Sequence, residues 1–240
     1  MTTPTRVAAG LLTGLLAVGG LSACSGDDGG GGGGGSSWSE AGAKAKELLD
    51  GTSGITVSIS TTDDPGVDYL SSATGTIVAD PAAFEGEVSG KVTGFAVNDV
   101  PVVSTGGTLW INHPLLGGWS DRFQPDDLCA PDPATLLSPD SGVSNVLTSS
   151  TDVEKGESER GGKDNKEVFT TWSGTATGDA IREILPCAEG DEFGATYRVD
   201  DDGYLRTARL TGVFFPDAEE VTYTIDVTGY DVTKDITAPE

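Results

Sequence analysis

Apolar residues follow three different rhythms along this chain. From Val7 to Val18 they run almost unbroken, starting just after Arg6 and giving way to small residues. From Trp38 to Leu49 they recur at spacings of three and four (Ala41, Ala45, Leu48, Leu49), which predicts a short helix ended by Gly51 and Gly54. Beyond Gly54 the rhythm changes to alternation. Ile55–Ile59 alternates strictly, and 75–79, the long run Phe84–Val97, 101–104 and Thr108–Ile111 continue with β-branched residues between Gly, Asp and Pro. That is the pattern of an antiparallel meander, and glycines inside the strands mark bends of a curved sheet.

The middle of the chain breaks the alternation. Pro133–Leu137 and Gly142–Leu147 read as two short helical pieces around Pro139, and 151–166 as a polar loop or hairpin tip. Strand character returns at 167–173, a helix follows over 177–185, and three strands close the chain at 195–199, 205–210 and 221–227. The Asp-Gly pair at 202–203 between alternating runs signals a hairpin. Eight to eleven mostly antiparallel strands with a few central helices make the fold class α+β. The expected architecture is a large curved antiparallel sheet with helices against its concave face.

The first apolar run is too short to span a bilayer, which takes about 20 residues. After a positive start it fits an export signal. Leu21-Ser22-Ala23-Cys24 places Leu three positions before a cysteine with small residues between, the order of a lipobox. On this reading residues 1–23 are a lipoprotein signal peptide and Cys24 carries lipid; two or more acyl chains hold a protein stably at a membrane. Residues 24–37, with Gly29–Gly35 in succession, read as a tether. Residues 38–240 suit a single domain.

Composition narrows the function further. A formal charge of -24 excludes the basic patch that nucleic acid requires. Two cysteines remain, Cys129 and Cys187, and in an oxidising compartment such a pair is usually a disulfide. The alternatives are a buried thiol pair or a metal site, and the single His113 with no CxxC spacing speaks against metal. Catalytic constellations are missing as well. No Gly-x-Ser-x-Gly elbow or His-Glu-x-x-His occurs, and Asp200–Asp202 lacks the further ligands of a calcium loop. No enzyme activity, cofactor or metal is expected.

The order of several segments resembles the LppX/LprG-type lipoproteins of mycobacteria and other actinobacteria. Thr93–Trp110 is similar to the family's strand pair leading into a Gly-x-Leu-aromatic strand, and Trp119-Ser-Asp-Arg-Phe123 to its aromatic-x-Asp segment. Leu136–Leu147 is similar to its Leu-Leu-x-Pro helical stretch, Trp172–Ala176 to a strand end, Tyr197–Arg206 to a hairpin, and Thr228–Val232 to the closing strand. The resemblance covers about Ser39 to Pro239, and it departs at Cys129, Cys187 and the glycine run.

The resemblance implies a strongly curved antiparallel half-barrel sheet like that of the LolA/LolB carriers, with helices on the concave face enclosing an apolar cavity, where acylated lipids or glycolipids are held for transfer across the cell envelope. Apolar positions proposed to line the cavity are Val92, Phe95, Val97, Leu109, Ile111, Leu136, Leu137, Val143, Val146, Leu147, Phe169, Ile184, Leu185, Val213, Phe215 and Ile225. The expected partners are an acylated lipid or glycolipid ligand, the membrane through the anchor, and a membrane lipid exporter, with the protein a monomer on the extracytoplasmic face of the cell membrane. Rival readings are an envelope scaffold or adaptor for a transporter without cargo, and an enzyme acting on envelope lipids.

Overall fold

A computed structural model describes residues 37–240, apart from the side chains of Asp126 and Lys163. The signal, Cys24 and the glycine run lie outside the described residues. Helix α1 (Trp38–Asp50) opens with the Glu40 carboxylate accepting the Ser37 N–H at 3.0 Å, half of a capping box. Six strands follow by neighbouring hairpins: β1 (Gly54–Ser60), β2 (Tyr69–Ala79), β3 (Ala82–Val92), β4 (Phe95–Thr105), β5 (Thr108–His113) and β6 (Gly118–Ser120). Helix α2 (Ser144–Ser149) precedes β7 (Thr151–Gly161) and β8 (Glu167–Thr177). Helix α3 (Gly178–Ile184) and β9 (Glu192–Asp200), β10 (Leu205–Gly212) and β11 (Val221–Tyr230) complete the chain.

The eleven strands of the described residues form one antiparallel sheet in the order β6-β5-β4-β3-β2-β1-β11-β10-β9-β8-β7. The chain therefore builds outward from β1 to one edge, jumps to the opposite edge, and returns until β11 pairs with β1. Register shifts interrupt five ladders, and each such bulge sharpens the local bend, so the open sheet curves.

The jump has a geometric consequence. Residues 121–150 connect the two opposite edges, so they must cross a whole face of the sheet. They cross the concave one as a strap of short 3-10 turns (Pro125–Leu128 and Pro133–Thr135) and α2. The concave side holds the main core, from Ala45 and Leu49 of α1 through Ile55, Phe84 and Tyr197. On the convex side Ile236 of the C-terminal tail packs with Val78, Ala83 and Val103, covered by Trp110 and Trp119.

Two readings of the pattern are corrected. The run Phe84–Val97 is not one strand, because Thr93 and Gly94 take positive φ and turn the chain between β3 and β4. The segment 151–166 is mostly strand β7, an edge whose exposed charges on both faces erase any alternation. A three-residue strand, β6, closes the other edge.

Candidate functional site

The two halves of the concave face are built differently. Under β8–β11 it is aromatic. Trp172 and Tyr197 pair across β8 and β9, and Trp38 at the start of α1 stacks on Tyr197 (centroids 4.9 Å, planes 10° apart) and tilts against Trp172 at 5.6 Å. The Trp38 indole N–H donates to the Leu147 carbonyl at 3.1 Å, which satisfies its polar edge and ties α1 to α2. Phe193, Phe214 and Tyr223 form a second aromatic cluster, with centroids 4.8 and 5.1 Å apart.

Under β2–β4 the face is made of glycine and valine. Gly75, Gly86, Val88, Val100 and Val102 follow one another at facing register positions. A Cβ on Gly75 or Gly86 would lie 2.5 or 2.6 Å from the Phe84 ring, so Phe84 lies flat over both glycines. Small residues make this floor shallow, and the strap rather than a helix covers it.

Discrete contacts hold that cover. Ser104, 1% exposed, donates through Oγ to Asp132 Oδ1 at 2.7 Å, and the same oxygen accepts the Ala134 N–H at 3.0 Å. Lys46 of α1 donates to the Pro139 carbonyl, Ser144 Oγ and Asn145 Oδ1 at 2.8–3.1 Å and pairs with Asp50 at 2.9 Å. Cys129 and Cys187 are joined by a disulfide with Cα atoms 5.6 Å apart, fixing the strap to the segment after α3. Sequence reasoning found the cysteines but missed Ser104, Asp132 and Lys46. Asp132-Pro133, a capping residue before a proline at the first helical position, was the available signal.

Side chains of the sheet, the helices and the strap pack into one cluster over much of the concave face. A cleft of about 320 Å³ lies between α1 and β8–β9, lined by Glu40, Lys44, Lys155, Trp172 and Asp201 among others. That is the low end of ligand-site sizes, and its rim is charged. A second, polar pocket of about 180 Å³ is lined by Thr61, Thr62, Arg209 and Thr222. Of the positions proposed to line a cavity, Leu109, Leu137, Val146, Leu147 and Phe215 are buried in the concave core, whereas Phe169, three positions before Trp172 on β8, is buried on the opposite face beneath the Arg198 guanidinium, because an odd offset along a strand reverses the face. Val97, Ile111, Leu136, Val143, Ile184, Leu185, Val213 and Ile225 are half-buried. Val92 and Phe95 are exposed, beyond the reach of the cover.

Polar groups near the face serve structure. The His113 ring accepts the Leu115 N–H through Nδ1 at 3.3 Å, shaping a turn. Asp200 accepts the backbone N–H groups of Asp202 and Tyr204 and pairs with Arg206 at 2.7 Å, closing the β9–β10 hairpin. Burial pushes the Tyr197 phenol up to about 12, opposed in part by its hydrogen bond with Ser150. Tyr223 is pushed up by the same desolvation and donates to the Leu70 carbonyl. Among the described residues no group of three His, Cys, Asp or Glu side chains is placed to hold a metal, and no helix is long and apolar enough to cross a membrane. Apolar burial is the chemistry this face offers.

Residues 40–238 match the family model of the LppX_LprAFG lipoproteins, and the chain belongs to that family. The fold is similar to the crystal structure of LprF from Mycobacterium bovis, with a TM-score of 0.67 at 14% identity, over 84% of this chain and 96% of that one. It is also similar to the lipoprotein LppX of Mycobacterium tuberculosis, with a TM-score of 0.60 at 16% identity, over 83% of this chain and 98% of that one. No curated protein matches the sequence.

Proposed function

We propose that this member of the LppX_LprAFG lipoprotein family is a lipid carrier. It sits on the extracytoplasmic face of the cell membrane, anchored through Cys24, and takes acylated lipids or glycolipids onto its concave face for transfer across the envelope. The observation that carries this reading is a continuous apolar face closed by a strap and short helices, pinned by one disulfide and a few polar contacts. An acyl chain loses about 0.8 kcal/mol for each methylene exposed to water. A face that takes over that burial needs no catalytic group. Cargo would enter by displacing the strap from the glycine-valine floor, where the cover is thinnest. A membrane lipid exporter is the expected source or recipient, and the protein acts as a monomer.

Lipid extraction and native mass spectrometry of protein purified from its own membranes test the reading. Acyl lipid is expected to co-purify in near-stoichiometric amount, and its absence would overturn the carrier. One observation favours a second reading: the protein's own side chains pack over much of the concave face. A scaffold or adaptor without cargo would keep that packed face, and would be supported if lipid-free protein resists lipid uptake from micelles.

A further inference from the structure

Among the described residues, the three most exposed large apolar side chains lie toward one end of the sheet. Leu115 is 89% exposed, Phe95 74% and Val92 40%. Val92 and Phe95 face each other across the tip of the β3–β4 hairpin, and Leu115 sits in the β5–β6 turn. Because β5 pairs with β4 antiparallel, both turns point toward the same end, and the β3–β4 tip reaches further because β4 continues past Val102 to Phe95. Exposed apolar side chains clustered at loop tips, on a chain of charge -24, call for an occupant.

Three further features identify it. First, the tip is continuous with the interior. On β3 alternation runs unbroken from Phe84 to Val92, so Val92 and Phe95 share the concave face with half-buried Val88 and Val97 and buried Val100. Second, α1 points away from this end, so its first residue lies nearer the tips than its last. The hairpin at Gly203, at the opposite end, packs on Lys44 and Leu48 of α1, and α1 ends beside the start of β1. Its first residue, Trp38, reaches back to Leu147, just before β7 begins at the tip end. Ser37 lies thirteen positions after Cys24, and a chain of that length reaches at most about 45 Å. Third, the tip is braced: the Asp68 carboxylate accepts the Thr93 and Gly94 N–H groups, which fixes the turn that presents Val92 and Phe95.

We infer that the β3–β4 and β5–β6 tips insert into the interface of the bilayer that holds Cys24, with Phe95, Val92 and Leu115 as the inserted side chains, and that the Val92–Val100 stripe leads acyl chains from bilayer to concave face. This rests on the carrier reading for the role of the stripe, while insertion itself is independent of cargo. Insertion of this kind draws on apolar burial, so a neutral, zwitterionic surface suits it and an anionic one repels the acidic domain.

The test uses the full chain purified from membranes in detergent and reconstituted into phosphatidylcholine vesicles with brominated acyl chains. Phe95→Trp and, separately, Leu115→Trp each add an indole at a tip, and Glu157→Trp adds one on exposed β7. The expected result is loss of the added emission for the two tip variants and its retention for Glu157→Trp. Equal quenching in all three, or none at the tips, overturns the inference. So does dimerisation through the tips in place of quenching, which would make the occupant a second copy. Phe95→Ser with Leu115→Ser should then slow uptake of a pyrene-labelled diacylglycerol from vesicles while leaving uptake from micelles unchanged. If tip variants quench but no lipid is taken up from either source, the carrier reading fails and membrane insertion stands.

Discussion

The half of the sheet under β8–β11 and the half under β2–β4 bury their concave faces by different means. The first is a stack of large rings, Trp38 on Tyr197 against Trp172, locked under helices. The second is a shallow floor of glycine and valine under an irregular strap. Rings that interdigitate are expensive to separate, because each loses a large area at once. A strap held by a few polar contacts and one covalent bond can lift when those contacts are lost. The same sheet thus combines a structural half with a half suited to opening.

The largest effect that would sharpen this contrast is Trp172→Ala. It should cost about 3–5 kcal/mol of global stability in urea unfolding, with protection lost across β8–β10 together. A small, local effect would break the comparison. Next is the disulfide, which closes a loop of 58 residues. Cys129→Ser or Cys187→Ser should cost roughly 2–4 kcal/mol, and the double variant no more than either single one. Hydrogen exchange should accelerate along residues 121–143 more than along β8–β10. Additive losses would deny that the strap is held at that point.

Ser104→Ala should cost about 1–3 kcal/mol, because Asp132 loses its partner from the sheet, and the faster exchange should again be confined to the strap. The smallest effect at neutral pH concerns Tyr197. Its phenol stays protonated up to about 12, while unfolded tyrosine ionises near 10. Its contribution is therefore complete below about pH 10 and is lost as pH rises toward 12, because only the unfolded state releases the proton in that window. Tyr197→Phe should flatten that alkaline loss. An unchanged slope would mean the aromatic half is wetter than its packing shows.

Much of this was legible from periodicity. Ile55, Val57 and Ile59 do share the concave face, and the Asp-Gly pair does turn β9 into β10. Alternation reports which face a side chain occupies, but not where the cover over that face stops. That is why Val92 and Phe95, on the expected face, were assigned to an interior they do not reach. The strap was illegible for a related reason. Its short 3-10 turns have no sustained period, and the Ser104–Asp132 contact joins residues 28 apart. Strand β7 was hidden because Val153 is its one apolar residue packed on the core and nearly all the others are exposed, so nothing sustains an alternating pattern.

An open eleven-stranded sheet also has two free edges, and their character bears on how copies behave in company. One edge, β6, is three residues long; the other, β7, displays Glu154, Lys155, Glu157, Glu159 and Arg160 to solvent. A visiting strand meets either too short a template or a row of charges it must strip of water. Neighbours held at high density on one surface would therefore slide past each other, and a fold that leaves its barrel unclosed avoids becoming the seed of a fibre.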